Sequence, residues 1–237
     1  VVDLEYGVSS VIGDRAFHGD PDAVAVLAGA LMAGMRDAGM AATAKHFPGH
    51  GAVVADSHVQ LPVDRRPYPD LERDLRPYRR LIANGLPSVM AAHVVYPDVD
   101  DLPASLSRRW IQGVLRDELD FRGAVFTDDL SMAGAAAFGD VVERCRLALA
   151  AGCDVLPICN DRAAVQAALD GLAATPEPVA ALRIARLHGR GAGAPGIGPG
   201  LAARAELLAS EPWRRCSDAV ARCLAAPPDL SLDGELS

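Results

Sequence analysis

The chain has 237 residues, 50% of them hydrophobic, and a formal net charge of -8, enough for one large soluble domain or two small ones but without the basic stripe of a nucleic-acid surface. No uncharged apolar run reaches the ~18 residues of a membrane span, and no secretory leader is visible at the start. The five cysteines (Cys145, Cys153, Cys159, Cys216 and Cys223) form no CxxC pair and are odd in number, which fits reduced thiols in a cytoplasmic protein better than a disulfide framework.

In chain order, Val1 to Leu4 reads as the end of a strand, and with no initiating Met it points to a longer parent protein. A loop follows, holding Asp14 and Arg15. Asp20 and Pro21 make an N-cap and first-turn pair for a helix over 21–38, with Val24, Leu27, Leu31 and Met35 at helical spacing and Gly39 closing it. Residues 40–45 read as a buried strand. Beyond it, from Phe47 to about Pro69, no periodicity stands out, and so long a loop in a compact domain is usually functional. Asp70 is placed to cap a charged helix reaching Asn84 and ended by Gly85. Ser88 to Val95 is a buried strand with His93 near its end. Ser105 to Leu119 is an amphipathic helix with Leu106, Trp110, Val114 and Leu115 on one side. Gly123 to Thr127 is the next strand, ending in Asp128-Asp129-Leu130-Ser131-Met132. Asp140 opens a helix to Ala151, closed by Gly152; Cys153 to Ile158 is a strand; a helix covers about 161–173. The rest is helical around a Gly/Pro-rich stretch, 189–200.

Short, apolar, Gly-bounded strands alternating with helices mean parallel β/α units. Five strands are expected, near residues 1, 40, 88, 124 and 153. A closed (β/α)8 barrel needs eight strands in typically ~250 residues, so the chain would hold about the last five units. The competing architecture is an open doubly wound sheet, but no GxGxxG or GxxxxGK follows the first strand. Polar residues at the strand ends (Asp3, Lys45 and His46, His93, Asp128) favour the barrel, where those ends converge. Residues 1–190 are assigned to the barrel domain and 191–237 to a C-terminal helical extension of it.

Several of these residues can carry chemistry. Asp128, fixed after an apolar strand, can be a nucleophile, a metal ligand or a helix cap, and Asp129 beside it could take the cap role instead. In Asp56-Ser57-His58 the carboxylate can accept an imidazole N–H and orient the ring, leaving the other nitrogen to act as general acid and then base. Lys45 can donate hydrogen bonds to substrate hydroxyls, with His46 beside it. Arg15 offers a planar fork for a carboxylate or carbonyl, or an ion pair with Asp14 or Asp20. His46, His50, Asp56 and His58 could also be read as a zinc site, but their spacing matches no strong zinc motif.

Lys45-His46-Phe47-Pro48-Gly49-His50-Gly51 followed by Asp56-Ser57-His58 resembles the signature of family 3 glycoside hydrolases of the β-N-acetylglucosaminidase type. Val11 to Phe17 and Phe126 to Met132 are similar to two further landmarks of that family, in the same order. The resemblance runs from Val1 to about Asn160. It implies a (β/α)8 barrel and a retaining, two-step hydrolysis of terminal β-1,4-linked N-acetylglucosamine from peptidoglycan fragments in the bacterial cytoplasm. On it, Asp128 matches the nucleophile, His58 the proton donor and acceptor, and Asp56 its dyad partner; Arg15, Lys45 and His46 match the sugar-binding positions. It implies no metal, no organic cofactor, no nucleic-acid or membrane partner, and a monomer. Family members carry three further barrel strands ahead of the position of Val1, the third ending in a sugar-holding Val-Asp-Gln-Glu-Gly-Gly-Arg type segment. Two alternatives stay open: a phosphorylase of the same fold, and an inactive fragment lacking the N-terminal sugar-binding strands.

Overall fold

Three short strands hydrogen-bond side by side in parallel, β1 (Thr43–Phe47), β2 (Ser88–Ala91) and, beyond a short hairpin, β5 (Ala124–Thr127), with β2 in the middle. These and the following descriptions come from a computed structural model, which describes residues 1–54, 61–173, 177–189 and 201–225. The register puts Lys45 level with Met90 and Phe126, and Phe47 level with Ala91 and Thr127, with an irregularity in β1 at His46. The peptide bonds Lys45–His46 and Phe47–Pro48 are cis.

Two flanking segments extend this sheet without joining its ladders. The Val2 amide donates to the Lys45 carbonyl beside β1. On the far side, Val155 forms a single parallel bridge to Phe126. The expected first and fifth strands are therefore present as neighbours of the sheet, hydrogen-bonded to β1 and β5. Between β2 and β5 the chain forms an antiparallel hairpin, β3 (Val95–Tyr96) with β4 (Asp100–Pro103).

Helices return the chain from strand to strand. Helix α1 (Pro21–Asp37) is capped by Asp20, whose carboxylate accepts from the Asp22 and Ala23 amides. Its buried face is Val24, Ala28 and Met32 rather than the expected row through Leu27 and Leu31, which are 46% and 55% exposed. Helix α2 (Glu72–Ala83) follows a 3-10 turn, Tyr68–Leu71, and buries Leu75, Tyr78 and Leu81. The amphipathic segment before β5 is helical over Arg109–Glu118 and buries Trp110, Ile111, Val114 and Leu115, but it is wound as a π-helix. After the short α3 (Ala133–Ala136), α4 (Val141–Ala151) begins at its Asp140 cap and ends on left-handed Gly152. α5 (Arg162–Gly171) and α6 (Pro178–Ala185) follow. Residues 1–190 form one compact unit; a second, residues 191–237, contains α7 (Leu201–Ala209) and α8 (Glu211–Ala225). No helix of the described residues is long and apolar enough to cross a membrane.

The core beneath the C-terminal ends of the strands is aromatic. Phe47 stands edge-on to Tyr78 and Trp110, at 5.2 and 5.8 Å between ring centres, and Tyr96 packs on Trp110 at 5.0 Å. Such edge contacts add about 0.5–1.5 kcal/mol each beyond burial. They seat the residue that directly follows His46, so the polar rim above is built on a rigid floor.

Candidate active site

The parallel register carries the C-terminal ends of β1, β2 and β5 to one rim, and hydrogen bonds tie that rim together across every strand boundary. On the β1 side, buried Asp3 receives three kinds of N–H. Its Oδ2 lies 2.8 Å from His46 Nδ1, both oxygens lie 3.2 Å from the His46 amide, and Oδ1 accepts from the His50 amide at 2.7 Å. Burial alone would raise this carboxyl, but the His46 ring and the two amides outweigh it and hold it below the ordinary aspartate range. Asp3 is therefore ionised at neutral pH and can only accept. His46 Nδ1 must carry a proton, which leaves Nε2 with a lone pair in the neutral ring. The His50 ring stands edge-on to His46 at 6.0 Å, and burial holds it below the ordinary histidine value.

At the β1–β2 boundary the Ala92 amide donates to the Phe47 carbonyl, and at the β2–β5 boundary the Asp128 amide donates to the Ala91 carbonyl, 3.0 Å away. Asp128 is half-buried at the tip of β5. One of its oxygens, Oδ1, accepts from the Asp129 amide at 2.9 Å. Asp129 takes the local-turn role: its Oδ1 accepts from the Ser131 amide and hydroxyl and from the Cys159 amide. Burial would raise the Asp129 carboxyl, but these donors hold it below the ordinary value. The Asp128 charge reaches both His50 and His93.

Lys45 and His46 lie in β1 itself, not at the start of a loop, so both are held by the sheet. Lys45 is half-buried and His46 is buried. Arg15 ends a 3-10 turn, exposed, with its guanidinium donating to the Val11 carbonyl rather than pairing with Asp14 or Asp20. It shares with Lys45 and Asp3 an electrostatic influence on Val1, which places all three around the first segment. Asp56 and His58 lie outside the described residues.

The backbone on both sides of those two residues is anchored. Ahead of them, Gly51 is pressed so close to the Leu4 carbonyl that a Cβ there would come within 1.9 Å of its oxygen. After them, Val63 bridges to Val95, and the Asp64 amide donates to the Val95 carbonyl. Arg66 then grips Asp64 through Nε and Nη2 and Asp74 through Nη1, the last at 2.8 Å, while Tyr6 also donates to Asp74. Asp74 is itself raised by burial despite Arg66. The sequence carried little signal for this network, since Asp64 and Arg66 sit in a stretch without periodicity and Tyr6 is 60 residues from Arg66. The part played by Asp3 was half visible, as an acid at a strand end.

Residues 1–187 match the model of the glycosyl hydrolase family 3 N terminal domain. Over 196 residues the chain is 56% identical to a beta-hexosaminidase of Thiobacillus denitrificans, covering 82% of this chain and 55% of that protein. Over 233 residues it is 49% identical to a beta-hexosaminidase of Thioalkalivibrio sulfidiphilus, covering 98% of this chain and 64% of the relative. Among solved structures it resembles NagZ from Neisseria gonorrhoeae in complex with N-trifluoroacetyl-D-glucosamine, with a TM-score of 0.79 and 37% identity, over 95% of this chain and 62% of that one. The chain thus spans between 55% and 64% of the length of these two sequence relatives. With its parallel sheet, its polar rim and this match over most of its length, the chain belongs to glycosyl hydrolase family 3 and has the TIM-barrel-type α/β fold of that family's N-terminal domain.

Proposed function

We propose that this chain carries the catalytic machinery of a retaining exo-β-N-acetylglucosaminidase acting on terminal β-1,4-linked N-acetylglucosamine of peptidoglycan fragments. The observation that carries the reading is the shared rim: Lys45 and His46 at the end of β1, and Asp128 at the end of β5, two strands away in a parallel sheet. The names of the relatives support the reaction class.

In this reading residues 1–190 are the last five units of a (β/α)8 barrel. Asp128 attacks the anomeric carbon while His58 gives its proton to the departing glycosidic oxygen. The products are a glycosyl-Asp ester and a free alcohol. In the second step His58 takes a proton from water, whose oxygen displaces Asp128 and releases the sugar. Asp56 accepts the other His58 N–H and keeps the ring basic enough for both steps. Lys45, His46 and Arg15 hydrogen-bond to the sugar unit. The anchors at Gly51, Val63 and Arg66 hold the backbone from which the dyad extends. The enzyme works in the cytoplasm as a monomer, without metal or organic cofactor.

The test is trapping. A 5-fluoro N-acetylglucosaminyl fluoride, which keeps the 2-acetamido group, followed by peptide mass mapping, is expected to label Asp128. Label on another residue, or no label with turnover intact, would exclude Asp128 as nucleophile. Running the reaction with and without inorganic phosphate separates hydrolysis from phosphorolysis; sugar 1-phosphate as the main product would assign a phosphorylase.

A further inference from the structure

His93 is a fully buried histidine that the reaction above does not use. It ends the central strand's turn onto the rim, between the sugar-binding end of β1 and the nucleophile at the end of β5. Its Nε2 lies 3.0 Å from the Asp129 backbone carbonyl, and its Nδ1 lies 2.6 Å from Ser105 Oγ. A carbonyl only accepts, so Nε2 must carry the hydrogen. Burial favours the neutral ring. The Ser105 hydroxyl therefore donates to a bare Nδ1, and the tautomer is dictated from both sides. The charges of Asp128 and Asp129 both act on the ring.

The Asp129 residue that His93 grips is the one that holds the nucleophile. The Asp129 amide donates to Asp128 Oδ1, and its side chain is fixed by Ser131 and Cys159. Its carbonyl accepts from the Met132 amide at 3.0 Å and from His93 Nε2, so His93 is the side chain that holds it. Among the described residues, Oδ1 is held by the Asp129 amide, and Oδ2 is the oxygen proposed to attack.

We propose that His93, set in its Nε2–H tautomer by Ser105, is a positioning residue that orients Asp128 through the Asp129 backbone. This rests on the glycosidase reading of Asp128. A nucleophile that is turned slightly away loses reactivity without losing sugar contacts, since those belong to the end of β1. The signature is a loss in kcat with KM nearly unchanged.

The experiment compares the wild-type full chain with His93→Gln, His93→Leu and Ser105→Ala on an aryl β-N-acetylglucosaminide, with thermal melts of each. Gln keeps an N–H donor near the Nε2 position, so His93→Gln is expected within a few-fold of wild type. His93→Leu is expected to lose about 10- to 100-fold in kcat. Ser105→Ala, which keeps the ring, is expected to lose several-fold in kcat and to mix the tautomers seen by 15N NMR of the His93 ring, assigned by its absence in His93→Gln. A wild-type kcat in His93→Leu, equal losses in the Gln and Leu variants, or an Nδ1–H ring in the wild-type spectrum would each overturn the proposal. If His93→Leu does not fold, a Ser105→Ala protein with unchanged spectrum and kcat overturns it alone. An inactive, folded wild type sinks the glycosidase reading and this proposal with it, whereas an active wild type beside an indifferent His93→Leu sinks only this one.

Discussion

His46 Nδ1 lies 2.8 Å from Asp3 Oδ2, inside a pocket where the side chains of the two residues are 8% and 0% exposed. The pair joins residues 43 positions apart, and the same carboxylate also accepts the His46 and His50 amides. One side chain thus fixes the ring that ends β1 and the turn that leaves it. Because the acceptor is ionised, these hydrogen bonds belong to the stronger class.

Asp3→Asn is expected to cost about 2–3 kcal/mol of stability, since the amide puts an NH2 where donors now converge. It should also lower kcat/KM, because His46 would no longer be held to the Nδ1–H tautomer. Denaturant melts and steady-state kinetics check both. A variant with wild-type stability would show that the carboxylate charge is irrelevant to the rim.

Acid should destabilise the protein in two stages. Burial holds the His93 and His50 rings below the ordinary 6.5, so between their folded values and 6.5 the unfolded chain binds more protons. Stability therefore falls as pH drops through about 6.5. Asp3 is held below 3.8, so its contribution is complete above that value and is lost as pH falls further. Urea midpoints from pH 8 to pH 3 should show both slopes, with His93→Gln flattening the first and Asp3→Asn the second. A midpoint that stays constant between pH 7 and pH 5 would contradict the burial of neutral rings.

Gly51→Ala is expected to be among the most damaging small substitutions. The added Cβ would sit 1.9 Å from the Leu4 carbonyl oxygen, a backbone atom of the segment that carries Asp3. Relief requires the turn to move away from Asp3, at about 2–3 kcal/mol. Gly85→Ala supplies the control: its Cβ meets nothing within 4 Å, though its positive φ of 82° still carries a strain of about 1 kcal/mol. Equal melting temperatures for the two variants would refute the steric argument.

Arg66 binds two buried carboxylates at once, Asp64 and Asp74, while its own side chain is 24% exposed. Removing it leaves both acids without their cation. Arg66→Ala is expected to cost about 2–4 kcal/mol, the lower part of the range for broken buried pairs because of that exposure. Arg66→Lys should recover little, since one ammonium cannot copy the fork that reaches both acids. If His58 is the proton donor proposed above, the loss should be largest in turnover of substrates with poor leaving groups. Recovery of full stability by Lys would argue for charge alone.

The elements that could be read in advance are those whose cause is local. α4 runs from the Asp140 cap to Gly152 as expected, because capping and a left-handed glycine act within one turn. The apolar runs at Ser88 and Gly123 form β2 and β5, since a short apolar run bounded by turn residues is itself a local signal. α1 shows where local pattern stops: Ala28 and Met32 are buried and Leu27 and Leu31 are not. Their apolar character is equal on the helix, and what decides between them is which side α2 and the sheet approach. The hairpin of β3 and β4 went unread because its strands are two and four residues long. The π winding of Arg109–Glu118 leaves no mark on an amphipathic pattern.

For the rim, the chemical types and their order can be read along the chain: an acid after the first apolar segment, Lys-His after the second, a histidine after the third, an Asp pair after the fourth. Short-range forces suffice for that, since each polar group simply follows a buried strand. Which of them meet depends on how the strands pack. Asp3 reaches His46, His93 reaches Ser105 and the Asp129 carbonyl, and Asp129 reaches Cys159. The reason is parallel packing, which brings strand ends far apart in sequence to hydrogen-bonding distance, and burial, which makes pairing these polar groups favourable.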